Sequence, residues 1–355
     1  MPKTLLITLD FPPNIGGVAS YVAARVHTQK DIIVLAPNIS YVGKEDRVYR
    51  RQVFFRFFWP KWLKTVYIAL DIIKKEDIKH IEVHHVLPMG YVAYIICLLK
   101  KIPYTVYLHG TDVAYAKKKR FTSVVLQAAQ RIVVNSQSLR DRVVEAWPQL
   151  KEVVTVVYPL PDAVFSKEIV IQQQEALRAR LSLHGQTVVL SVSRLVEGKG
   201  FEQLISAMAV LMKKHPSLVW MIIGDGGKKN AYVDMCTQAG IIQKVRFLGA
   251  LAQSDIPLYM SVADIFCLLP QAHDGKEEGF GLVFLEAALM GLPVVAGNSG
   301  GVKEAVIHNE TGLLVDGTKE KEIVDAVEQY ITDPLFRKKI STQALARVQQ
   351  MIKAR

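Results

Sequence analysis

The chain has 355 residues, 50% hydrophobic and 22% charged, with three cysteines and a net charge of +11. That length accommodates two domains with separate cores, and the composition excludes a disordered chain. Cys97, Cys236 and Cys267 stand apart in apolar segments, which argues against a disulfide framework or a cysteine metal site and for a reduced cytosol.

The N-terminal apolar run is short and broken by Asp10, unlike a signal peptide. Residues 4–9 read as a strand, followed by Asp10-Phe-Pro-Pro-Asn-Ile-Gly16-Gly17 and a helix from Val18. Strand, glycine loop and helix form a first Rossmann-like unit, with the glycines letting backbone approach a ligand. No G-x-G-x-x-G is present, so a dinucleotide is not indicated. Residues 32–36 read as a strand, 53–58 as a core strand and 61–75 as a helix. Residues 81–85 read as a strand, followed by a helix through Leu99 whose apolar run is too short to span a bilayer. His84 and His85 are read as strand residues rather than metal ligands, since no carboxylate or cysteine is spaced beside them. A strand over 104–108 ends in His109-Gly-Thr-Asp112. Ligands of open α/β sheets bind beyond the carboxyl ends of strands, where His109 falls. A helix over 122–129 and strands over 131–135 and 153–157 complete a parallel, doubly wound sheet.

The prolines of Val157-Tyr-Pro-Leu-Pro-Asp162 mark a linker, so the expected domains are 1–163 and 164–355. The second half repeats the alternation. Helix 172–181 precedes strand 188–192, the loop Ser193-Arg194-Leu-Val-Glu-Gly-Lys199-Gly200, helix 201–214 and strand 218–223. Strand 245–248, helix 256–263 and strand 265–269 lead to a loop through Gly281. A helix from Leu282 is ended by Gly291 and Pro293; strand 294–296, Gly300-Gly301 and further helices follow. The fold class is α/β, with two Rossmann-like doubly wound domains.

The stretch from Glu278 to Glu286 carries the most chemistry. It offers one carboxylate on a loop and another in the first turns of a helix, and a carboxylate accepts two vicinal hydroxyls at once. The helix N-terminus between them suits phosphate. Two hydroxyl clamps flanking an anion site describe a nucleotide-sugar pocket. Arg194 and Lys199 follow directly on a strand. Either alone reads better as a solvated basic residue; as a pair taken with the glutamates they suit a diphosphate leaving group, worth about 3–4 kcal/mol each. No Asp-x-Asp occurs, so no catalytic metal is expected. Asp10 and Asp112 suit acceptor hydroxyls or turn caps.

Charge is uneven. Residues 1–165 hold 23 Lys and Arg against 13 Asp and Glu, and the rest 21 against 20. That asymmetry suggests an anionic partner of the first half, whether a membrane surface, a nucleic acid or a phosphorylated acceptor, with solubility accounting for part of it. Residues 47–64 mix basic and aromatic side chains as interfacial segments do; 53–58 are read as core, leaving the flanks with Trp59, Lys61, Trp62 and Lys64 for an anionic membrane surface.

Four segments in this order and spacing resemble the retaining GT-B glycosyltransferases of family 4, especially those similar to bacterial phosphatidylinositol mannosyltransferases. They are Asp10 to Gly17, His109-Gly-Thr-Asp112, Arg194 with Lys199-Gly200, and Glu278 to Glu286 with Gly300-Gly301. The resemblance covers about residues 1–345. It implies two domains facing across a cleft. The implied reaction is retaining, metal-independent transfer of a mannose- or glucose-type sugar from a nucleoside diphosphate sugar to a lipid-linked or envelope glycan acceptor. It places Arg194 and Lys199 on the diphosphate, Glu278 on the donor sugar and Glu286 on the ribose. Phe280, Gly281 and Leu282 then supply backbone contacts to sugar and phosphate, Gly16 and Gly17 close over the phosphates, and His109 lies near the reacting carbon. His109, Arg194, Lys199 and Glu278 are therefore the expected catalytic set, with no cofactor. The expected setting is cytoplasmic, peripheral on the inner face of the membrane, with no nucleic-acid partner.

Three positions depart from the family pattern. Ser193 replaces a frequent glycine, the linker lacks an Asn-Gly turn, and the chain stops at Arg355, before the usual crossing helix. Rival readings are a sugar-nucleotide epimerase of the same fold, a non-catalytic nucleotide-sugar binding protein, and, on charge alone, a nucleic-acid binder without a recognisable module.

Overall fold

The computed structural model describes residues 3–14, 16–38, 46–110, 113–114, 121–166 and 168–354; the expected acceptor-side Asp112 lies outside the described residues. The chain divides into two compact units, Met1–Pro159 and Leu160–Arg355, a few residues before the division expected from the prolines.

Unit one contains β1 (Lys3–Thr8), α1 (Gly17–Thr28), β2 (Ile32–Pro37), β3 (Val48–Arg51), α2 (Leu63–Glu76), β4 (Ile78–His84) and α3 (Met89–Lys100). It continues with β5 (Tyr104–Leu108), α4 (Thr122–Gln127), β6 (Arg131–Val134), α5 (Gln137–Ala146) and β7 (Val154–Val156). The seven strands lie in the order β3-β2-β1-β4-β5-β6-β7, all paired parallel, with Leu5 opposite Ile33 on one side and Ile81 on the other. Both faces are covered, so the strands are continuously apolar. Leu5 and Ile7 pack with Val66, Ile72, Val92 and Ile96 of α2 and α3. Leu6 and Val34 pack on the other face with Tyr21, Val22 and Val26 of α1. Chain progression reverses between β1 and β4, which opens a crevice at their carboxyl ends.

One expected element is corrected. The strand beside β2 is Val48–Arg51, not 53–58. Val53 is buried, but Phe57 is 90% and Trp59 83% exposed. An apolar run alone does not distinguish an interior strand from a surface segment.

Unit two contains α6 (Ile171–Arg180), β8 (Thr187–Val192), α7 (Phe201–Lys214), β9 (Leu218–Ile223), α8 (Lys229–Gln238), β10 (Val245–Gly249) and α9 (Ile256–Met260). Then follow β11 (Ile265–Leu268), α10 (Leu282–Leu289), β12 (Val294–Gly297), α11 (Val302–Ala305), β13 (Leu313–Val315), α12 (Glu320–Thr332) and α13 (Pro334–Lys353). The strand order is β10-β9-β8-β11-β12-β13, again parallel throughout, with the reversal between β8 and β11. Trp220 donates to Ser191 Oγ at 2.9 Å, and Ser191 Oγ donates to the Cys267 carbonyl at 2.5 Å. This buried relay ties β9, β8 and β11 together where the order reverses. Cys97, Cys236 and Cys267 are free thiols.

Candidate active site

The loops leaving β8 and β11 carry most of the expected residues of unit two. The loop from Ser193 to Gly200 is anchored rather than free. Leu195 is buried, its N–H donates to the Asp225 carbonyl, and its own carbonyl accepts from Lys228. The Gly198 carbonyl accepts from Gln271 N–H, and Glu197 pairs with Lys228 and with His273 Nε2, 3.0 Å away. This anchoring presents Arg194 exposed and Lys199 half-buried.

Lys199 Nζ lies 2.6 Å from Glu278 Oε2, the two side chains being 20% and 22% exposed. Burial pushes the Glu278 carboxyl up. Lys199 outweighs it, helped by Arg194 and the Gly279 N–H, so Glu278 is held below the usual carboxylate range. A carboxylate and two cations therefore stand together at the end of the sheet. The Gly301 N–H donates to the Glu278 carbonyl, bringing the Gly300-Gly301 turn against this loop.

Gly281 caps α10 with φ 87°. A Cβ there would come 2.5 Å from the Phe284 ring, so both conformation and space select glycine. Phe280 is a core side chain, which leaves its backbone for any ligand contact. Leu282 is half-buried at the first position of α10. Glu286, one turn further, is 7% exposed. Among the described residues no hydrogen bond reaches its carboxyl, and burial followed by the nearby Asp162 carboxylate pushes it up to about 8.

Unit one gathers the rest. Gly16 sits at φ 155° just before α1, and added Cβ atoms at Gly16 or Gly17 would meet nothing within 4 Å. Asp10 Oδ2 is 3.0 Å from His85 Nε2, and His109 Nε2 is 3.0 Å from His84 Nδ1. The His85 and His109 rings meet edge-on at 5.7 Å, so Asp10 and His109 belong to one cluster. His84, His85 and Tyr21, whose ring lies 5.9 Å from that of His109, are members that sequence reasoning missed. Their signal was the position of a histidine pair at the carboxyl end of a strand. Arg50 was also missed: it donates to the Pro12 carbonyl and stands 5.4 Å from the Phe11 ring, bracing the loop before Gly16.

Residues 15–163 match the model of Glycosyltransferase Family 4, and residues 173–347 that of Glycosyl transferases group 1. The chain belongs to the family 4 glycosyltransferases. It is 27% identical to the GDP-mannose-dependent alpha-(1-6)-phosphatidylinositol monomannoside mannosyltransferase of Mycobacterium tuberculosis, over 94% of this chain and 90% of that one. It is also 27% identical to the GDP-mannose-dependent monoacylated alpha-(1-6)-phosphatidylinositol monomannoside mannosyltransferase of Corynebacterium glutamicum, over 98% and 93%. The Anabaena protein Alr3699/HepE, solved with UDP and glucose, superposes with a TM-score of 0.82 at 23% identity, covering 99% of this chain and 95% of that one. That likeness supports the GT-B fold. In this glycosyltransferase the unit-two loops described above fall within the group 1 match, and the Asp10 side chain precedes the family 4 match.

Proposed function

We propose that this glycosyltransferase moves a mannose- or glucose-type sugar from a nucleoside diphosphate donor to a lipid-linked or envelope glycan acceptor, with retention and without a metal. The observation that carries the reading is the Lys199–Glu278 ion pair beside Arg194, on the loops that follow β8 and β11, with the buried carboxyl of Glu286 one turn into the helix that follows. Unit two holds the donor. Arg194 and Lys199 take the diphosphate at the N-terminal end of α10, Glu278 accepts sugar hydroxyls, and Glu286 meets the ribose diol. Backbone at Phe280, Gly281 and Leu282, and at Gly16 and Gly17, completes the donor contacts. The mannosyltransferase names of the relatives favour mannose and a lipid acceptor.

In the reaction, the bond from the anomeric carbon to the diphosphate oxygen breaks, and a bond from that carbon to an acceptor oxygen forms on the same face. The acceptor proton passes to the departing phosphate oxygen, whose growing negative charge Arg194 and Lys199 stabilise. Retention is supported by the likeness of the Glu278–Glu286 segment to that of retaining family 4 enzymes. Asp10 is paired with His85 and His109 with His84. His109 then serves as a polar contact to the sugar. The cation pair does the work a metal does in Asp-x-Asp enzymes.

The test is transfer from nucleoside diphosphate sugars to lipid acceptors. Arg194→Ala and Lys199→Ala lower kcat at least about a hundredfold with unchanged circular dichroism. Activity persists in EDTA, and product NMR shows the donor's anomeric configuration. Inverted product, or loss in EDTA rescued by magnesium, overturns the chemistry. Release of free nucleotide with an epimerised sugar and no acceptor overturns transfer itself.

The reading includes work in the cytosol on the inner face of the membrane. It is supported by exposed Phe57, Phe58 and Trp59 next to Arg56 and Lys61, a composition suited to a headgroup layer. Among the described residues no helix is long and apolar enough to cross a membrane.

A further inference from the structure

His84 closes β4 and is fully buried. Its ring lies under Tyr107, centroids 4.5 Å apart and planes 7° apart, with Tyr21 6.0 Å away. Its Nδ1 is 3.0 Å from His109 Nε2, with the two rings inclined by only 16° and their centroids 5.2 Å apart. The two nitrogens thus share one proton across a nearly coplanar pair. His84 Nε2, on the other side of the ring, is buried and, among the described residues, has no hydrogen-bond partner.

We propose that His84 is a positioning residue: its Nδ1–H donates to His109 Nε2 and holds His109 as a neutral imidazole with its own proton on Nδ1. The alternative tautomer leaves a buried N–H with no acceptor, whereas the proposed one leaves only an unused lone pair. Orphaned donors are the rarer and costlier case. The surroundings leave His84 a single proton. Burial, then His109, Arg25 and His85, hold it far below the ordinary imidazole range. The other facing groups do not restore a charge. Glu82 is committed to Arg25 at 2.7 and 3.1 Å and to the Tyr107 hydroxyl at 3.3 Å, and Asp10 faces His85. Protonating His109 on Nε2 would set N–H against N–H unless His84 moved its proton to the partnerless Nε2. His109 therefore resists protonation and meets the sugar as a neutral group of fixed orientation. This last step rests on the reading that His109 touches the donor sugar.

The experiment uses the full chain with 15N-labelled histidine, His109→Gln serving to assign the His109 signals. In the wild type the ring-nitrogen shifts of His109 show the Nδ1–H tautomer, and the ring protonates at lower pH than in a variant lacking the His84 donor. His84→Asn, whose amide nitrogen can occupy the place of Nδ1, keeps that behaviour. In His84→Leu the His109 ring titrates at higher pH than in the wild type, and kcat/KM gains an acid limb, falling about tenfold per pH unit below that titration. A wild-type Nε2–H tautomer, or identical titration in the wild type and His84→Leu, overturns the proposal. If His84→Leu does not fold, the wild-type and His84→Asn shifts decide. Undiminished activity of His109→Gln would refute the sugar contact, while the nitrogen shifts still judge His84 independently.

Discussion

Glu278 and Glu286 sit on the same loop-and-helix segment, and their surroundings drive them in opposite directions. Lys199 keeps Glu278 ionised, whereas Glu286 has burial and Asp162 against its charge. The folded value of Glu286, about 8, lies above its ordinary 4.5. Its protonation therefore contributes stability that is present below pH ~4.5 and lost as pH rises towards 8. Glu286→Gln removes that dependence. The variant gains on the wild type between pH 5 and 8, by up to about 1.4 kcal/mol per pH unit, as urea denaturation at both pH values would record. Glu278 carries the opposite sign: its stabilisation is present above the ordinary carboxylate value and lost as pH falls through the depressed one. Glu278→Gln costs about 1.5–3 kcal/mol at neutral pH, because Lys199 loses a charged hydrogen bond. No loss at pH 7 would mean that the ion pair does not hold the loop.

Gly281 and Ser136 begin helices by different means, and the two predict different outcomes. Gly281 supplies a left-handed turn against the Phe284 ring at the start of α10. Gly281→Ala strains that turn by about 1–3 kcal/mol and shifts the N–H groups proposed to meet the donor, so donor affinity falls with stability. Ser136 Oγ accepts the Leu139 N–H at 3.0 Å, capping α5. Ser136→Ala costs about 1 kcal/mol and leaves donor affinity unchanged. Denaturation together with nucleotide-sugar titration separates them. Equal affinity loss in both variants would argue that global stability, not the helix start, governs binding.

The excess positive charge and the Phe57-Phe58-Trp59 segment both belong to unit one, and together they suit an anionic lipid surface. Basic residues near such a surface contribute roughly 1 kcal/mol each, screened beyond about 8 Å at physiological salt. Co-sedimentation with anionic vesicles should therefore weaken as salt rises and be negligible with neutral ones. Phe57→Ser with Trp59→Ser should reduce binding while leaving donor hydrolysis intact, since both side chains are exposed and neither is among the proposed donor contacts. Charge reversal at Lys61 and Lys64 tests the electrostatic part. Equal association with both vesicle types, or with neither, would favour a soluble acceptor.

Two parallel sheets were legible from the sequence because strands buried on both faces must be apolar throughout, as at Leu5–Ile7, Ile222–Ile223 and Val294–Val295. The helix from Leu282 was legible from its glycine start and its Gly291-Leu-Pro293 stop. Three-residue β13 was not, because Leu313–Val315 is too short for a pattern and follows a polar turn. The run over 53–58 was misread because exposure depends on what covers a segment, which composition does not encode. The family resemblance grouped Arg194, Lys199, Glu278 and Glu286 as expected donor contacts; the structure brings Arg194, Lys199 and Glu278 together. Folding alone determined the states of the two carboxyls, since each follows from its burial and from the cation or second carboxylate beside it. The same holds for the histidines: adjacency in sequence joined His84 to His85, while the parallel pairing of β4 with β5 set His84 against His109. A hydrogen bond across 25 residues is written in the register of two strands, not in either strand alone.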